Sequence, residues 1–213
     1  MNRETSVAGR FRYEGDIISI KPIGAGHINK TYVVETTCDK YTLQLINTTV
    51  FTNPVALMEN IYNVTEFLKK KIAARGGDIR RETLSVVKTK DNKLFYVDSD
   101  NCYWRSYLYI DDVTTYQQPK NLQVVRDSGY AFGDFLNMLS DYDMSTLHET
   151  IKDFHNTVKR FRDFEMSVKR DVAGRVSSVS DEINFLYQRQ AHCGILLATL
   201  MPGKTPSPVP PND

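Results

Sequence analysis

Cysteine is scarce in this 213-residue chain: Cys38, Cys102 and Cys193 are too few and too scattered for a disulfide framework or a zinc site. Reduced thiols and a cytoplasmic setting follow as expectations. No apolar run approaches the roughly 20 residues that span a bilayer, and no leading apolar segment suggests secretion, so a soluble protein without a membrane partner is expected. Charge of one sign is missing too. The 27 Lys and Arg nearly balance 26 Asp and Glu, leaving a formal +1 and no clear basic cluster, so nucleic acid is not an expected partner. Internal repeats are also absent. What remains is ordinary globular material: 41% hydrophobic and 25% charged residues, ample for a buried core.

The stretch from Ile17 to Asn47 carries the strongest pattern. Three runs rich in β-branched and aromatic residues, Ile17 to Ile23, Thr31 to Glu35 and Tyr41 to Ile46, are divided by two turns. That spelling predicts an antiparallel three-stranded meander. The first turn is Gly24-Ala25-Gly26-His27-Ile28-Asn29. Its glycines permit positive φ and remove bulk, so that backbone N–H groups can approach an anion. A glycine-containing hairpin can be a plain turn, but strand–glycine loop–strand is also how protein-kinase-like folds cover the phosphates of ATP. A strand follows the loop where a Rossmann fingerprint needs a helix, and no Gly-Lys-Ser/Thr closes it as in a Walker A loop.

Residues 1–16 read as a polar lead, with Phe11 and Tyr13 able to pack on the first strand. Asn53-Pro54 predicts a helix start, and Gly76-Gly77 its end after about Arg75. Leu57, Ile61, Val64 and Leu68 make a stripe that should lie on the sheet. Strands are predicted at Thr83 to Val87, Leu94 to Val97 and Cys102 to Ile110. Residues 111–120 read as a connection between lobes, and everything beyond is helical in pattern: Val124 to Leu139, a long helix capped near Thr146 and running through Phe164, and a third from Ser180 to Leu200. The aromatic spacing in the middle helix fits core better than a ligand box. The proline-rich residues 201–213 suit neither helix nor central strand.

Several of these residues carry a likeness. Gly24 to Asn29 with Thr31-Tyr32, Tyr41 to Asn47 (YTLQLIN), Met58 to Ile61 (MENI), Trp104-Arg105 and Thr150 to His155 (TIKDFH) stand in an order that resembles the aminoglycoside phosphotransferase and choline kinase superfamily, nearest its N-acetylhexosamine 1-kinase branch. The resemblance covers residues from about 15 to 190. It implies an α+β, protein-kinase-like fold: an antiparallel N-lobe with one packed helix (1–110), a hinge (111–120), a partial helical C-lobe (121–200) and a flexible tail (201–213). It also implies ATP with Mg²⁺, and phosphoryl transfer to a hydroxyl of a small sugar or amine.

Carried over, Gly24 and Gly26 would cover the phosphates and Asn29 would fix the loop. His27 could face the phosphates or the sugar. Gln44 stands where most of the superfamily has a phosphate-gripping Lys or Arg, and a neutral amide brings no charge there. Glu59 is the candidate for the helix carboxylate that orients that cation. Tyr109, Ile110 and Asp111 would form the adenine-binding hinge, and His155 and Arg160 are candidates near the acceptor, with helix-surface or core roles as the alternative.

The chemistry also needs an H-x-D-x-x-x-x-N loop and a later Asp for Mg²⁺. None of His27, His148, His155 or His192 begins that loop, so no catalytic or metal-binding residue is assigned. The terminal Pro211-Asn212-Asp213 resembles the start of such a loop with its His replaced, and a truncated or shifted reading frame is expected. Two functions follow: a fragment of a sugar kinase, inactive as it stands and prone to self-association through exposed apolar surface, or a non-catalytic interaction protein that keeps the lobe.

Overall fold

A computed structural model describes residues 2–24, 28–116 and 118–200, without the side chains at 196 and 200. The predicted residues Gly26 and His27 and the tail 201–213 therefore lie outside the described residues. Five strands make one antiparallel sheet: β1 (Ile17–Pro22), β2 (Lys30–Thr36), β3 (Lys40–Leu45), β4 (Tyr96–Val97) and β5 (Tyr103–Leu108), in the order β1-β2-β3-β5-β4. Helix α2 (Pro54–Ala74) connects β3 to the second half of the sheet. The expectation of one antiparallel sheet carrying one long helix is met.

Strand alternation gives the sheet two different faces. One presents Val34, Tyr41, Leu43 and Trp104, all buried, and covers them with Val7, Ala8 and Phe11. These last residues belong to a helix, α1 (Arg3–Ala8), and the chain just after it; the sequence predicts a polar lead with Phe11 and Tyr13 packing, but no helix. Asn2 caps that helix, its Oδ1 accepting from Thr5 N–H at 2.9 Å. Asp98 then fastens it to the turn before β5, accepting from Arg3 Nε and Nη2 at 2.9 and 2.7 Å and from the Trp104 indole N–H at 2.6 Å. The opposite face gathers Ile46 and Tyr103 with Leu57 and Met58 of α2. Asn53 caps α2 through Ala56 N–H at 3.0 Å, and the helix ends where Gly76 turns to φ +76°.

Three predicted elements are corrected. Residues 83–87 are not a full strand: Val86 forms one bridge with Tyr107, while Arg12 N–H donates to Lys88 O and Lys90 N–H to Arg10 O. Ser85 to Val87 bond the chain of β5, through Val87 N–H to Ser106 O and Leu108 N–H to Ser85 O, and the N-terminal arm takes the backbone of Lys88 and Lys90 beyond them. The helix expected from about 146 starts only at α4 (Thr157–Arg170), capped by Asn156. Before it, Thr146 donates to Asp143 O in a short 3₁₀ turn, the backbone of His148 is held by the Asn60 side chain, and Asp153 sits at φ +59°. The last predicted helix is broken into α5 (Ser180–Tyr187), a 3₁₀ turn at Gln190–Gly194 and α6 (Ile195–Leu200). Helix α3 (Leu122–Met138) stands as expected.

The chain packs as two units that divide after Ile151. In the second, Phe161 is buried and its ring lies 5.5 Å from Phe164 and 5.7 Å from Tyr187, so the aromatic spacing of α4 serves a small core of its own.

Candidate functional site

The hairpin between β1 and β2 is anchored on both sides. Ile23 N–H donates to Thr31 O at 2.9 Å, and Gly24 takes φ +78°, a conformation that penalises any side chain. At the exit of the turn Asn29 Oδ1 accepts from Asn47 N–H at 3.0 Å, tying it to the chain that leaves β3.

From that exit a polar row crosses the sheet on the face that carries α2. Register aligns Thr31, Gln44 and Arg105 on β2, β3 and β5. Gln44 Nε2 donates to Thr31 Oγ1 at 3.0 Å, and Arg105 Nε donates to Gln44 Oε1 at 3.0 Å. The amide at position 44 therefore spends both ends within the sheet. Arg105 is only 8% exposed and its guanidinium carbon lies 5.3 Å from the Tyr107 ring centroid. Burial pulls this guanidinium below its ordinary range, and the neighbouring Tyr107 phenol only partly counters that. Sequence reasoning did not assign Arg105 a role. The signal was an arginine at an interior position of a strand rich in large aromatics, CYWRSYLYI.

The other sequence candidates are placed as follows. Glu59, on α2, meets His148 Nε2 at 2.9 Å through Oε2 rather than Gln44. The chain leaving β5 is held at both sides: Tyr109 N–H donates to Lys40 O at 3.0 Å, and Asp111 Oδ1 takes a 3.1 Å contact from Lys40 Nζ, which raises that ammonium above its usual range. Arg81 Nη1 donates to Asp111 O at 2.9 Å and Nη2 reaches Asp112 O at 3.4 Å. Ile110 lies between, half-buried. His155 and Arg160 belong to the second unit, where both sit around Phe154: the imidazole edge-on at 4.9 Å and the guanidinium carbon at 5.2 Å. His155 precedes α4 rather than lying on a long helix. Among the described residues no group of three or more His, Cys, Asp and Glu is placed to hold a metal, and no helix is long and apolar enough to cross a membrane.

No family model matches the chain. Among solved structures it is similar to spectinomycin phosphotransferase in complex with ADP and spectinomycin, with a TM-score of 0.55 and 13% identity. The fold is protein-kinase-like. The match covers 95% of this chain and 60% of that one, so the chain spans less than two thirds of its neighbour's length. At this level of identity the likeness speaks for architecture alone.

Proposed function

We propose that this chain is the nucleotide-binding part of a small-molecule phosphotransferase, taking ATP and serving phosphoryl transfer to a hydroxyl, with N-acetylhexosamine-like sugars as the acceptor class. The observation that carries the reading is the anchored glycine hairpin at the edge of a kinase-like sheet, with Gly24 at positive φ and Asn29 bonded to Asn47. The spectinomycin phosphotransferase of the same fold was solved with ADP, which supports a nucleotide as ligand. Gly24 and Asn29 would then shape the phosphate cover, and Gly26 and His27, outside the described residues, remain its candidates by resemblance. Tyr109, Ile110 and Asp111 would offer adenine the backbone groups that Lys40 and Arg81 leave open.

The residues fit the nucleotide better than its metal. A polyphosphate would meet the buried cation Arg105 beside the hairpin, whereas the described residues offer Mg²⁺ no group of three or more His, Cys, Asp and Glu. Transfer needs a positioned Asp and Asn that no H-x-D-x-x-x-x-N segment supplies in these 213 residues, so binding without turnover is the expected behaviour.

Titration with ADP and ATP tests the first half. Binding in the micromolar range, weakened about tenfold or more by Gly24→Val, is expected because a β-branched side chain at positive φ distorts the turn. Wild-type chain that binds neither nucleotide would end the proposal in favour of a non-catalytic interaction protein. Transfer of labelled phosphate to N-acetylhexosamines by the chain alone would overturn the second half.

A further inference from the structure

Arg105 is buried at 8% exposure, and among the described residues no carboxylate pairs with it, whereas the sealed Asp98 carboxylate has Arg3 as its partner. Arg3, Arg75 and Arg80, all more exposed, each have an acid partner. Taking a guanidinium out of water costs several kcal/mol, and a neutral amide at one of its five N–H groups returns only part of that. The Nη groups donate no hydrogen bond to the described residues, yet no sealed side-chain nitrogen there lacks a partner, so they open onto accessible space. A stem buried beside Tyr107, a fixed Nε and a fork with no carboxylate partner among the described residues is an arrangement that accepts an anion from outside.

The location agrees. The row Thr31–Gln44–Arg105 runs from the exit of the glycine hairpin across the sheet, on the face that carries α2. Gln44 on β3 is where a kinase-like site would need a cation, and its amide bonds Arg105 on the adjacent strand, about 4.8 Å away. We infer that Arg105 supplies the positive charge for the diphosphate of a bound nucleotide, with Gln44 as the positioning residue that turns the guanidinium toward it. The cation of the site has moved one strand over, from β3 to β5. This rests on the nucleotide reading above and adds to it which side chain recognises the phosphates.

The test compares adenosine with ADP by calorimetric titration of the full chain, beside thermal melting. Wild type should bind ADP more tightly than adenosine. In Arg105→Gln that advantage should shrink about 10- to 100-fold, the range for a lost charge-assisted hydrogen bond, with adenosine affinity unchanged. The melting temperature should hold or rise, because an uncompensated buried charge has gone. The double variant Arg105→Gln with Gln44→Lys returns the cation to β3 and should recover most of the advantage, which a purely structural arginine would not predict. An unchanged ADP-to-adenosine ratio in Arg105→Gln overturns the inference and leaves the nucleotide reading standing. Equal loss of adenosine and ADP with a lower melting temperature assigns Arg105 to the core instead. Absence of any nucleotide binding by wild type overturns both. Should the single variant fail to fold, arginine modification of wild type by phenylglyoxal, mapped by mass spectrometry, decides: ADP protects Arg105 where adenosine does not, and equal modification with either ligand refutes the assignment.

Discussion

Within the first unit, the sheet and helix α3 solve the same problem in opposite ways. Both are apolar in pattern. The sheet seals Val34, Leu43 and Trp104 to 1% exposure or less, because each strand has a neighbour to complete its hydrogen bonds and a helix to cover each face. Helix α3 has no buried residue at all: Tyr130 and Phe132 are each 72% exposed and Leu136 66%. What holds it beside α2 is polar, an Arg75–Asp134 pair at 2.8 Å, next to an open apolar cavity of about 630 Å³ lined by Val64, Leu68, Phe135 and Met138. Exposed ion pairs of this sort contribute little. The difference teaches that periodicity announces a helix, whereas burial depends on what the rest of the fold brings to its face.

If the sheet carries the stability of this unit, Trp104→Ala should be the most damaging of three substitutions. Loss of about 3–5 kcal/mol is expected, from the cavity and from the broken indole bond to Asp98, and urea denaturation measures it. A loss under about 1 kcal/mol would break the contrast. Asp98→Asn comes next, at about 2 kcal/mol, since the carboxylate gathers Trp104, Arg3 and the N–H groups of Cys102 and Asp100. This site also predicts a pH dependence. Burial alone would push the Asp98 carboxyl up, but the Trp104 and Arg3 bonds outweigh it and hold it below the usual carboxylate range. The stabilisation is therefore complete above the unfolded value of about 4 and drains away as pH falls through the lower folded value. Wild type and Asp98→Asn should converge in stability on acidification, and curves that stay parallel below about pH 4 would remove Asp98 from the account. Smallest of all, Phe132→Ala on α3 should shift stability by no more than about 0.5 kcal/mol. A loss comparable to that of Trp104→Ala would mean that α3 is packed after all.

The legible parts of the chain were those whose cause is local. Asn53-Pro54 and Gly76-Gly77 bounded α2 to within a residue, because caps and terminators act on their own turn. The meander declared itself through β-branched runs around Gly24. Partner-dependent features were hidden. Phe11 reads as able to pack, but Val7 and Ala8 look like part of a polar lead until the sheet face that needs them exists. The spacing from Leu147 to Phe164 reads as one helix, yet Asn60, far away in sequence, takes the backbone of His148 and prevents it. The polar row is the sharpest case: Gln44 looked like a loss of function in one dimension, and only strand register reveals Arg105 beside it.

Arg81 gives the exit of the sheet a mechanical character. It lies just beyond the glycines that end α2, and its guanidinium grips the carbonyls of Asp111 and Asp112, the latter already in the left-handed region at φ +54°. One side chain thereby splices the 78–82 turn to the chain leaving β5, so that two segments about thirty residues apart in sequence share an anchor that neither backbone supplies.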